Sequence, residues 1–138
     1  FITPILANHS DSVEVFAYSE VSQPDEVTSR LQSLVPNWRV TVGQSTEKVC
    51  EQIQKDQIDI LIDLAGHTGN NRLDIFTRKP APMQMTFLGY GNTTGLPMID
   101  YLISNGFYHP TDGTGPPTVE KILRLPGNLV PFETKSNL

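Results

Sequence analysis

Residues 58–101 read IDILIDLAGHTGNNRLDIFTRKPAPMQMTFLGYGNTTGLPMIDY. Two apolar, strand-like runs, 58–64 and 83–88, each empty into a loop rich in Gly, Thr and Asn. The first loop is GHTGNNR (66–72) and the second GYGNTTG (89–95). In an open parallel α/β sheet, ligands bind just past the carboxyl ends of the strands. Two such loops from neighbouring strands would form one rim of a polar cleft, which points to an enzyme's ligand site more than to a passive scaffold.

Outward from that stretch, strands and helices alternate. VEVFAYS (13–19) has the alternation of a strand. Ser22 as cap, Pro24 in the first turn and Asp25 predict a helix with Val27, Leu31 and Leu34 on its apolar face, ended by Pro36. Residues 38–42 read as a second strand, closed by Gly43. Ser45 caps another helix, with Glu47 in its first turn and Val49, Cys50 and Ile53 on its buried face. The run Ile60-Leu61-Ile62 predicts a strand buried on both faces, as in a parallel sheet. A short helix over 71–77 carries Leu73, Ile75 and Phe76 and stops before Pro80 and Pro82. The strand 83–88 sets Met83, Met85 and Phe87 on one face, and 101–104 reads as a brief last strand. Residues 109–117 read as an exposed loop and 118–123 as a helical turn. Strand, helix, strand, helix at this pitch means βαβ units. The expected class is therefore α/β: a Rossmann-like parallel sheet with flanking helices. At the ends, FITPILANH reads as the tail of an amphipathic helix with Ile2, Ile5 and Leu6 on one face, and ETKSNL carries no closing element. The chain reads as a fragment of a longer protein.

The 138 residues suffice for one small domain with a single core. A net charge of −5 with scattered Lys and Arg argues against broad binding to nucleic acid or an anionic membrane. No run of about 18 apolar residues is present. Cys50 is alone, which excludes an internal disulfide; between Val49 and Ile53 it reads as a buried, inert thiol, with no basic neighbour to activate it. These features suit the cytosol, or the nucleus in a eukaryote.

The chemistry concentrates in the two loops. Gly66 and Gly69 permit positive φ or close approach to a ligand. The helix start beyond them offers N–H groups suited to phosphate, and Arg72 a bidentate cation. The bland alternative is a tight turn with Arg72 in solvent. Neither the Walker motif nor GxGxxG is present. His67, in mid-loop, could exchange a hydrogen bond with a substrate hydroxyl or act as a base. His9 and His109 lie far off, without metal-ligand spacing. In the second loop, Gly89, Gly91 and Gly95 give a permissive backbone, Thr93 and Thr94 offer hydroxyls, and Tyr90 a stacking face. This suits a sugar or phosphate, and equally a long turn. Asp59 and Asp63 share one side of a strand about 13 Å apart, farther than a glycosidase carboxylate pair requires. They read as strand-end hydrogen-bond acceptors.

Taken together, residues 59–101 closely resemble the catalytic region of protein O-GlcNAc transferases and their SPINDLY-type relatives, glycosyltransferase family 41. The resemblance rests on the GHT loop, the R-x-PAP run at 78–82, and LGY followed by TTGLP and DY; VEVFAYS, Pro24-Asp25 and ILRLPG extend it over nearly the whole chain. It implies a metal-independent, inverting GT-B enzyme, with a nucleotide sugar between two Rossmann-like lobes and tetratricopeptide repeats upstream. Residues 1–138 would be most of the N-terminal lobe. The donor would be UDP-GlcNAc, or GDP-fucose in SPINDLY-type relatives, and the acceptor a protein Ser or Thr. The resemblance places His67, Thr68 and Arg72 at the cleft and Leu88, Gly89 and Tyr90 near the donor sugar; Thr93 and Thr94, in the turn that follows, are read from the loop itself as lining the same cleft. The family's HPVG-like histidine motif would lie upstream; His9 does not match it, so no catalytic residue is assigned within this chain. Gly91 departs from the family, which usually has Pro there. A non-catalytic α/β module such as a receiver domain is the alternative, suggested by Asp63. It would need an acidic pair after the first strand, where only Glu20 stands, and a Lys after the last, which is missing.

Overall fold

The computed structural model describes residues 1–131, so the ETKSNL end lies outside the described residues. Length alone allowed a single core; instead the chain divides into two compact units, one of residues 1–44 with 130–131 and one of 45–129.

The first unit holds α1 (Ile2–Ala7), β1 (Phe16–Ser19), α2 (Glu26–Leu34) and β2 (Asn37–Val40). β1 and β2 pair in parallel, Phe16 opposite Asn37 through Ser19 opposite Val40. α2 begins later than its sequence suggests. Its cap is Asp25, whose carboxylate accepts from both the N–H and the hydroxyl of Thr28 at 2.8 Å. Pro24 therefore precedes the cap rather than filling the first turn, and Ser22 plays no part in it. The buried face shifts accordingly: Thr28 is buried and Val27 exposed.

The second unit holds α3 (Thr46–Lys55), β3 (Ile60–Asp63), α4 (Leu73–Thr77), β4 (Met83–Phe87), β5 (Tyr101–Asn105) and β6 (Lys121–Leu125). Its four strands form one all-parallel sheet in the order β3-β4-β5-β6. Ser45 caps α3 as expected, and Val49, Cys50 and Ile53 are buried. Gln84 on β4 donates to the Phe76 carbonyl of α4 at 2.9 Å, so α4 lies on the sheet face that carries Leu61, Gln84 and Leu102. α3 packs beside it, with Cys50 Sγ 3.9 Å from the Ile75 carbonyl. Burial pushes the Cys50 thiol pKa up, as befits an unreactive cysteine.

Several expectations fail here. Ile60 and Ile62 are 48% and 44% exposed, so β3 is buried on one face and not on both. Residues 121–125 form a strand where a helical turn was expected. KILRL follows Pro116 and Pro117, and pairing with β5, Tyr101 opposite Lys121 through Asn105 opposite Leu125, satisfies its backbone in a way that one isolated turn would not. β5 is thus not the last strand. His109 is also buried, at the start of a loop expected to be exposed, with its ring Nδ1 2.7 Å from Ser104 Oγ.

Candidate functional site

β3 and β4 are neighbours and parallel, with Asp63 opposite Thr86, so their following loops leave from one edge of the sheet. The loops touch. A Cβ on Gly89 would stand 1.8 Å from the Leu64 carbonyl oxygen, and one on Gly66, whose φ is +54°, would stand 2.3 Å from Tyr90 Cβ. No side chain fits at either crossing, and glycine is there for close approach. The His67 and Tyr90 rings meet edge to face at 5.3 Å. His67 Nε2 lies 2.8 Å from the Thr94 carbonyl oxygen, which joins the first loop to the far end of the second.

Beneath this crossing Asp63 ties the first loop down. Its buried carboxylate accepts from the N–H groups of Ala65 (3.0 Å) and Gly66 (2.9 Å) and from the Thr86 hydroxyl (2.7 Å). This is the strand-end role expected of it. The Thr68 hydroxyl turns inward to the Ala65 carbonyl at 2.8 Å. Leu88 has φ +63°, rare for a branched side chain and of a kind that costs about 1–3 kcal/mol, so the surrounding contacts hold the entry to the second loop in a strained form.

Arg72 caps α4, which starts at Leu73 and not at Asn71. The first helical N–H is already occupied: Leu73 donates to Asn71 Oδ1 at 3.3 Å. With only five residues, α4 is a poor phosphate anchor. Arg72 itself is not in open solvent. Its side chain is 19% exposed and its Nε lies 3.4 Å from Asp74 Oδ1. Burial raises the Asp74 pKa, but the Thr46 hydroxyl and Arg72 outweigh it and hold the carboxyl below its ordinary value.

Sequence reasoning missed Glu120. This carboxylate is buried and accepts from the Thr94 N–H (2.7 Å), the Thr93 hydroxyl (2.6 Å) and the Thr94 hydroxyl. Thr93 Oγ in turn accepts from Gly95 and Val119 N–H at 3.1 and 3.2 Å. Burial pushes Glu120 up, and the threonine hydrogen bonds overcome it, so its pKa falls below the ordinary value. No spacing rule links residues 93 and 94 to 120; the link exists because β6 lies beside β5. Gly91 sits in the same loop with nothing within 4 Å of where a Cβ would be. A groove of about 320 Å³ between Pro82, Asp100, Tyr101 and Lys121 lies at the amino ends of β4, β5 and β6; its wall includes Val119, whose N–H donates to Thr93 Oγ.

Residues 3–125 match the model of glycosyl transferase family 41. The chain belongs to that family. It is 42% identical over 131 residues to the rice (Oryza sativa subsp. japonica) protein named probable UDP-N-acetylglucosamine–peptide N-acetylglucosaminyltransferase SPINDLY, covering 91% of this chain and 14% of that relative. It is 35% identical over 104 residues to the Arabidopsis thaliana SEC protein of the same named activity, covering 75% of this chain and 11% of the relative. Among solved structures, a mutant Thermobaculum terrenum O-GlcNAc transferase superposes with a TM-score of 0.92 at 34% identity, over 100% of this chain and 26% of that one. The family 41 chain thus has the parallel α/β architecture of a GT-B catalytic region and spans about one seventh of the length of its SPINDLY relatives. Among the described residues no helix is long and apolar enough to cross a membrane.

Proposed function

We propose that this chain is most of the N-terminal catalytic lobe of a protein O-glycosyltransferase. The parent transfers N-acetylglucosamine from UDP-GlcNAc to Ser or Thr hydroxyls of proteins, with inversion and without a metal cofactor. The observation that carries this reading is the convergence of the GHT and LGY–TTG loops at one sheet edge, joined by His67 and Thr94, in a chain of this family. His67, Thr68, Arg72, Leu88, Gly89, Tyr90, Thr93 and Thr94 form this rim of the cleft. The chain's contribution is to hold polar groups in fixed positions where donor and acceptor meet. A SPINDLY-type transferase using GDP-fucose is the second reading; it rests on the resemblance to SPINDLY-type relatives, although the names of those relatives give UDP-N-acetylglucosamine as the donor.

The test is a transfer assay on the full-length parent, with UDP-GlcNAc and GDP-fucose in parallel and a Ser/Thr peptide as acceptor. Transfer from UDP-GlcNAc that survives a chelator is the expected result; transfer from GDP-fucose alone selects the second reading, and transfer from neither overturns both. Arg72→Ala should cost about 10- to 150-fold in kcat/KM, the worth of one charge-assisted contact, at little change in melting temperature.

A further inference from the structure

The buried carboxylate of Glu120 has no place in the function just described, yet it is bonded to the turn that meets His67. A carbonyl oxygen can only accept, so the His67 nitrogen 2.8 Å from Thr94 O must carry a proton. In the neutral ring this fixes the Nε2–H tautomer and leaves Nδ1 with a lone pair. Nδ1 has no hydrogen-bond partner among the described residues. Which nitrogen of a histidine is protonated is set by the bond the other one makes. Here that bond is only as well placed as the Thr94 carbonyl. The Thr94 peptide is held on its N–H side by Glu120, and the hydroxyls of Thr93 and Thr94 close on the same carboxylate. Leu96 N–H returns to Thr94 Oγ at 3.2 Å, so the turn is fixed on both sides of the carbonyl.

We propose that Glu120 is a positioning residue for the cleft: through the Thr93–Thr94 turn it fixes the Thr94 carbonyl, and with it the Nε2–H tautomer and ring orientation of His67, leaving Nδ1 to accept from a hydroxyl of the sugar donor or of the Ser/Thr acceptor. The assignment of Nδ1 to a substrate hydroxyl rests on reading this edge as the transferase cleft. The tautomer relay from Glu120 to His67 does not.

The relay is tested on the chain itself, labelled with 15N-histidine, by two-bond nitrogen–proton correlation spectra with His67 assigned by its loss in His67→Gln. The wild type should show a single Nε2–H tautomer at His67. Glu120→Ala should turn that signal into a mixture of tautomers. Glu120→Gln, which keeps a carbonyl acceptor for the Thr94 N–H, should largely restore it. Should Glu120→Ala fail to fold, Thr94→Val removes one of the donors to the same carboxylate and should shift the His67 signal in the same direction. In the parent transferase Glu120→Ala should lower kcat roughly 10-fold at an unchanged donor KM, the low end of what outer partners of functional histidines contribute. A His67 signal unmoved by the folded alanine or valine variant overturns the proposal, as does equal disturbance by the alanine and glutamine variants. A tautomer that responds in a protein with no sugar transfer leaves the relay standing and overturns the transferase reading instead.

Discussion

Gly89 and Gly91 stand two residues apart in one loop, yet their environments are opposite. At Gly89 an added methyl meets the Leu64 carbonyl at 1.8 Å, a backbone group that cannot swing aside as a side-chain tip can. Gly89→Ala must therefore push the two loops apart, at a cost of about 1–3 kcal/mol or more. At Gly91 the methyl meets nothing. Gly91→Ala narrows only the unfolded ensemble and should stabilise by about 0.4–1 kcal/mol. Denaturant midpoints of the two variants check both signs; a tolerated alanine at 89 would mean that the loops do not cross as described. The distinction was not legible in GYGNTTG. Sequence shows three glycines of equal standing, and only the neighbouring strand's loop says which one is crossed by backbone.

Legibility follows the same logic at the level of elements. α3 could be read in full because its cap, its first-turn acid and its apolar stripe lie within one window. β6 could not, because KILRL is too short for periodicity to decide and its pairing partner lies some 20 residues upstream. Missing β6 meant missing Glu120, and with it the clamp on the TTG turn. That clamp has a pH signature. The folded-state pKa of Glu120 is depressed, so its contribution is complete above the ordinary glutamate value of 4.5 and is lost as pH falls through the folded-state value. Wild type should melt above Glu120→Gln at neutral pH, since hydrogen bonds to a buried charged group contribute about 1.5–3 kcal/mol. The gap should begin to narrow below pH 4.5 and then close. Other carboxylates are depressed as well, among them Asp100 through its Lys79 and Gln84 N–H hydrogen bonds, but they titrate alike in both proteins and cancel in the difference. A gap constant from pH 7 to pH 3 would refute an ionised Glu120 in the fold.

For the chain as a whole, the two faces of the four-stranded sheet make unlike demands. The face under α3 and α4 buries Leu61, Gln84, Thr86, Leu102 and Ser104. On the other face Ile60, Ile62, Leu123 and Leu125 are 48%, 44%, 38% and 40% exposed. Strand register joins them through Met83, Met85, Tyr101 and Ile103 into one continuous apolar strip. Surfaces of this kind bind partners or drive association. The purified 138-residue chain should accordingly bind an apolar-surface dye and associate as its concentration rises. Ile62→Lys combined with Leu123→Lys should suppress both effects and lower the melting temperature less than a core substitution does, because both positions are partly exposed and a lysine stem can cover the same apolar surface while its charge stays in water. Ile53→Ala, at a side chain only 1% exposed, is the contrasting case: it should cost about 2–5 kcal/mol and leave dye binding by the native state unchanged. If the wild-type chain neither binds dye nor associates, the strip is covered in solution, and the exposure of Ile60 and Ile62 does not describe the working surface of the molecule.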